Sequence, residues 1–120
     1  MIILENTNNL KMRGNTMNIE EMYVRIYKAL AHPIRIKIVR MLRDGPQCVC
    51  VLNQNVEFSQ SNLSQHLKIL RDAGILKAEK DGIRIMYSIK DEEIKKLLEV
   101  TGKIIKTEID LLRNEFSGEE

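Results

Sequence analysis

Apolar residues recur at steps of three and four along most of this chain and alternate in two short runs past its middle. Ile19, Met22, Tyr23, Ile26 and Leu30 follow helical spacing. Asn18 suits the cap of that helix, with Glu20 and Glu21 in its first turn. The helix should end near His32, because Pro33 disfavours helical geometry at the residue before it. Pro33 itself suits the first turn of a second helix. Ile34-Arg35-Ile36-Lys37-Ile38 alternates like a strand, yet the pattern runs on through Val39, Met41 and Leu42 to a stop at Gly45-Pro46, and that length predicts a helix. A short third helix is expected over about Gln47 to Asn55. Ser59 is expected to cap a fourth, which runs to Ala73 and stops at Gly74. Two β-prone runs, from Ile75 to Glu79 and from Arg84 to Ile89, flank Lys80-Asp81-Gly82-Ile83, where Asp-Gly signals a hairpin. Asp91 caps a last helix whose Ile94, Leu97, Leu98, Ile104, Ile105, Leu111 and Leu112 recur at helical steps.

The expected fold is therefore mainly α with a β-hairpin wing: a winged helix-turn-helix, which is a DNA-binding architecture. Residues 1–17 are polar, Asn-rich and unpatterned, and read as a flexible N-terminal arm. Met17 is a second candidate start, since Arg13-Gly14 can be encoded by a ribosome-site-like sequence. Residues 18–116 are expected to form the winged-helix DNA-binding domain, and 117–120 a C-terminal tail.

Composition sharpens this picture. At 120 residues the chain makes one small domain. It is 43% hydrophobic but only 4% aromatic, so its core must be aliphatic. The net charge of +2 would not by itself suggest nucleic acid, but its distribution does. Arg25, Lys28, Arg35, Lys37, Arg40 and Arg43 occur with no acidic residue among them, whereas Glu108, Asp110, Glu115, Glu119 and Glu120 turn the end acidic. No run approaches the roughly 18 apolar residues of a membrane helix, and there is no secretion-signal pattern. A cytoplasmic protein with reduced thiols and no obligatory cofactor is expected.

On the fourth helix Leu63, Leu67 and Leu70 share one face, and Ser61, Gln65 and Lys68 fall opposite at about 100° per residue. Gln and Ser can hydrogen-bond base edges, and Lys suits phosphate. Gln60, Ser61, Asn62, Ser64, Gln65 and Lys68 are the candidate contacts to double-stranded DNA, with Lys80 and Arg84 on the hairpin reaching backbone or minor groove.

The only two cysteines, Cys48 and Cys50, stand about ten residues before that helix. A thiol pair beside a DNA-reading helix suggests a switch. On an ideal helix, residues two apart point about 200° away from each other, so one ion held by both would have to distort the third helix. His32, before Pro33, and His66, beside Leu67, read as structural, packing or phosphate-contact residues, and the methionines as core.

Ala29-Leu30-Ala31-His32-Pro33-Ile34-Arg35, Ser59-Gln60-Ser61, Ser64-Gln65-His66-Leu67 and Leu70-Arg71-Asp72-Ala73-Gly74-Ile75-Leu76 resemble the ArsR/SmtB-type winged-helix repressors. The resemblance covers roughly Met22 to Asp91. It implies a homodimer joined through the first and last helices, bound to an inverted-repeat operator and released by an inducer. Cys-Val-Cys at the start of the third helix is similar to the site of the arsenic repressors, which makes Cys48 and Cys50 the implied ligands of As(III) or Sb(III). Thiolates select such soft ions. Two departures stand out: Asn53 replaces a third cysteine, and Val51 replaces an acidic residue. A water, chloride or external thiol would complete the site. The last helix and the arm hold no His or Cys, which argues against a family-type zinc site. The alternatives are a thiol redox or persulfide-sensing repressor of the same fold, a thiol-disulfide enzyme, and a winged-helix protein-interaction module.

Overall fold

The computed structural model describes residues 2–4, 9–12 and 15–117. Helices α1 (Ile19–Leu30) and α2 (Pro33–Met41) lead through a 3-10 turn to β4 (Gln47–Cys48), α3 (Val49–Leu52), α4 (Val56–Ser59) and α5 (Leu63–Asp72). The hairpin β5 (Leu76–Asp81) and β6 (Arg84–Ile89) follows, and α6 (Glu92–Ser117) closes the chain. The first two helices, the wing and the last helix are those expected from the pattern, whereas the two helices expected over about 47–55 and 59–73 are instead β4 and three helices, α3, α4 and α5. Ahead of it lie β1 (Ile2–Leu4), β2 (Asn9–Met12) and β3 (Asn15–Asn18).

Those first strands fall within the stretch expected as an arm, of which residues 1, 5–8 and 13–14 lie outside the described ones. They pair as an antiparallel meander, with Ile3 opposite Lys11 and Leu10 opposite Met17. Ladder pairing uses only backbone donors and acceptors, so an Asn-rich segment can form it without an apolar period. At the other end, α6 runs one residue into the expected tail, and residues 118–120 lie outside the described ones.

The caps explain where the helices begin. Asn18 Oδ1 accepts from Glu21 N at 2.8 Å, as expected. Pro33 opens α2, and His32 Nδ1 accepts from Ile34 N at 3.1 Å. The core gathers Leu30, Ile38 and Val39 from the first two helices, Leu42 from the 3-10 turn, Leu52 and Phe58 from the short ones, and Leu63, Leu67 and Leu70 from α5. Ile75, Leu76, Tyr87 and Ile89 cover it from the wing side. The expected apolar stripe of α5 is thus its buried face.

The wing turn is made by Gly82, at φ 66°. That left-handed backbone costs a residue with a Cβ about 1–2 kcal/mol. The space beside Gly82 is open, so Gly82→Ala should lower stability by about that amount through the backbone alone, read as a reduced urea midpoint.

Candidate nucleic-acid interface and thiol pair

Helix α5 starts later than the sequence pattern suggests. Ser59 does not cap it. Ser59 closes α4 and spends its hydroxyl on Val56 O at 3.1 Å. The chain then turns over Gln60–Asn62, and Asn62 caps α5, its Oδ1 accepting from Gln65 N at 3.4 Å. Ser61 Oγ donates to Phe58 O at 2.8 Å and braces the same turn. Two of the expected base contacts, Ser61 and Asn62, are therefore committed to shaping the entry to the helix.

The remaining candidates are exposed. Ser64, Gln65 and Lys68 lie on the outer face of α5, and Gln60 stands just before it. Among the described residues the side chains of Gln60, Ser64 and Gln65 make no hydrogen bond, so their donors and acceptors are available to base edges. Lys68 Nζ pairs with Asp72 Oδ2 at 2.6 Å. That hydrogen bond is the main cause holding the Asp72 carboxyl below its ordinary value; the charges of Lys68, Arg71 and Arg25 act the same way, against some desolvation. A phosphate would have to draw Lys68 from this partner. On the wing, Lys80 pairs across from Ile85 and Arg84 from Asp81. Neighbouring positions on a strand face opposite ways, so Lys80 and Arg84 sit together near the tip but on opposite faces of the hairpin.

The two histidines, read separately from the sequence, form one node. Their ring centroids are 4.5 Å apart. Arg35 Nη1 lies 3.3 Å from His66 Nδ1, and because arginine only donates, His66 Nδ1 accepts. Arg35 also donates through Nε to Ala29 O at 2.6 Å and through Nη2 to Lys28 O at 3.2 Å. One guanidinium thus ties the end of α1, the start of α2 and the reading helix. Burial, then the charges of His32 and Arg35, lower the His66 pKa below its ordinary value.

The sign of the resulting pH dependence follows. As pH falls past about 6.5 the unfolded chain takes up the His66 proton before the folded one does. The contribution to stability is complete above that pH and is lost toward the lowered folded value. The urea midpoint should drop between about pH 7.5 and pH 5.5, and the drop should shrink in His66→Gln, which cannot titrate. An equal drop in both proteins would remove His66 as the cause.

The thiol pair departs most from expectation. Gln47 and Cys48 are not helical: they form β4, a third strand on the wing sheet, with Gln47 opposite Tyr87 and Cys48 opposite Met86. Cys48 is extended, at φ −70° and ψ 144°, and its Sγ accepts from Cys50 N at 3.1 Å as the cap of α3. With one residue in a strand and the other in a helix, the 200° divergence never arises. The Cα atoms are 5.1 Å apart, and Cys48 and Cys50 are joined as a disulfide rather than held as the free thiols expected. Cys48 is buried and Cys50 exposed. Asn53, in the place of a third thiolate, ends α3 on the exposed side. Among the described residues no three His, Cys, Asp or Glu side chains cluster as a metal site, and no helix is long and apolar enough to cross a membrane.

The family model for bacterial regulatory proteins of the arsR family matches residues 32–78, which span α2 to the start of the wing. The chain is similar to an uncharacterised HTH-type transcriptional regulator, Rv0081 of Mycobacterium tuberculosis, at 41% identity over 80 residues, covering 66% of this chain and 70% of that protein. It is similar to the arsenical resistance operon repressor of Bacillus subtilis at 42% identity over 77 residues, covering 63% of this chain and 73% of the repressor. The crystal structure of Rv0081 superposes with a TM-score of 0.69 at 36% identity, covering 77% of this chain and 94% of that one. A homodimeric winged helix-turn-helix DNA-binding domain from Mycobacterium bovis shares the fold, with a TM-score of 0.71 at 23% identity, over 77% of this chain and 85% of that one. The matched segment holds the turn, the thiol pair and the whole reading helix, and the relatives are regulators of transcription, not enzymes. This chain belongs to the arsR family of bacterial regulatory proteins.

Proposed function

We propose that this protein is a cytoplasmic, homodimeric transcriptional repressor that holds an inverted-repeat operator and releases it when As(III) or Sb(III) binds Cys48 and Cys50. The observation that carries the sensing half is the meeting of the two sulfur atoms at the point where the wing sheet passes into α3. Two soft donors converge there without distortion of a helix, which suits one thiophilic ion. The arsenical resistance repressor of B. subtilis, 42% identical over 77 residues, supports the choice of ion.

The dimer is supported by apolar side chains that one chain leaves in water. Tyr23, Val24 and Tyr27 on α1, and Ile104, Ile105 and Leu112 on α6, are exposed. A surface of that size is the mark of an interface. The M. bovis domain of the same fold is homodimeric. A two-fold dimer places its reading helices about 34–36 Å apart, hence the inverted repeat.

Gel-shift and anisotropy titrations test the DNA half. Gln65→Ala should lose about 1–3 kcal/mol of discrimination between operator and scrambled DNA. Lys80→Ala should weaken both alike and flatten the salt dependence by about one unit of slope. Binding that ignores salt and sequence would point to a protein-interaction module. Release by arsenite, lost in Cys48→Ser/Cys50→Ser, tests the sensor. A second reading is favoured by the disulfide itself: the same pair acts as a thiol redox or persulfide switch, and oxidant would then release the operator where arsenite does not.

A further inference from the structure

We infer that Met86 is a third sulfur donor to the thiol site, and that the resulting Cys48–Cys50–Met86 set takes a soft monovalent cation, Cu(I) or Ag(I). The inference rests on reading Cys48 and Cys50 as ligands.

Three observations bring the thioether there. First, Cys48 and Met86 are direct partners in the β4–β6 ladder. Directly opposite residues put their side chains on the same face of a sheet, with Cβ atoms about 4.5–5.5 Å apart. Second, Cys48 is only 6% exposed, yet it stands outside the main core cluster, which is covered by Tyr87 and Ile89 on the other face of β6. The ladder therefore directs its side chain to the Met86 face. Third, α3, which carries Cys50, packs against β6. Met86 itself is half-buried, so its thioether is partly open to solvent.

The donor set decides the ion. Thiolate and thioether sulfurs together select Cu(I), whereas a hard ion would want carboxylates and water. Glu79 also faces Met86 across the hairpin, but it is exposed and paired with Lys77 at 3.3 Å. As(III) needs thiolates and gains little from a thioether. Met86 therefore separates two classes of ion at one site. Methionine is unbranched and flexible enough to swing its sulfur between packing and coordination.

Loading begins from the dithiol. A phosphine reductant gives two electrons to the Cys48–Cys50 bond and becomes the phosphine oxide, with water supplying the oxygen and the protons that leave two thiols. Cu(I) then binds as those thiols lose their protons to solvent. No electron passes to the ion.

The test uses the full-length protein, reduced with phosphine under argon, and Cu(I) held by a competing chelator. Met86→Leu keeps the side-chain volume and the fold. Changes one shell away from a metal already cost about 10–100-fold in affinity, so Cu(I) affinity should fall at least about tenfold in Met86→Leu. X-ray absorption should count three sulfurs around Cu(I) in the parent protein and two in the variant, while arsenite still releases the operator from both. Equal Cu(I) affinity and equal sulfur counts in the two proteins would overturn the role of Met86 and leave the thiol reading in place. Undiminished Cu(I) binding by Cys48→Ser/Cys50→Ser would overturn both.

Discussion

Arsenite added to the reduced protein on its operator is expected to weaken DNA binding by about 5–150-fold, the usual range of coupling between two sites. Cys48→Ser/Cys50→Ser should stay bound at every arsenite concentration. The coupling has a short physical route. Cys48 belongs to β4, which pairs with wing strand β6, and Cys50 belongs to α3, which leads through α4 into the reading helix. An ion drawing both sulfurs to itself fixes the angle between wing and helix-turn-helix, the two elements that must meet DNA together. An ion can shift the equilibrium only by its preference for one of the two arrangements, and the sulfur–ion bonds supply that preference. Fluorescence anisotropy of labelled operator reads the result. If the serine variant is released as readily as the parent, the pair is not the sensor.

Phe58→Ala should destabilise the protein by about 3–5 kcal/mol, the cost of truncating a buried phenylalanine. Folded domains keep only about 5–15 kcal/mol in all, so much of the stability would go. The ring is 1% exposed and is the largest fully buried side chain among the described residues. It sits on α4, a helix of four residues that is too short to persist alone. Its packing is what holds that turn in place. The Phe58 carbonyl also accepts Ser61 Oγ, so the same residue anchors the entry to the reading helix. Urea unfolding at a fixed protein concentration measures the loss, since dimer stability depends on concentration. A change under about 1 kcal/mol would mean that Phe58 is not part of the packed core. Operator affinity at low temperature, where the variant remains folded, should fall as well.

The elements with a long period were legible. The stripe of Leu63, Leu67 and Leu70, the stop at Gly74, the Asp-Gly turn and the start of α2 at Pro33 all follow from neighbours within a few residues. So did the exposed positions of Gln65 and Lys68. What the pattern hid were short elements and long-range partners. Ser59 and Asn62 are both good caps, and the helix starts at the second because Ser59 closes α4 with its hydroxyl on Val56 O. His32 and His66 are 34 positions apart, and their contact exists only because α2 crosses α5.

By itself the sequence determined the first two helices and the last, the wing, the buried face of the reading helix and a cysteine pair two positions apart, because each depends on local spacing and local turn chemistry. The tertiary structure alone decided how those two sulfurs meet. A two-residue strand has no period to detect, and β4 forms because the distant β6 offers its open edge. That pairing holds Cys48 extended, turns its sulfur toward Cys50 instead of away, and sets it opposite Met86.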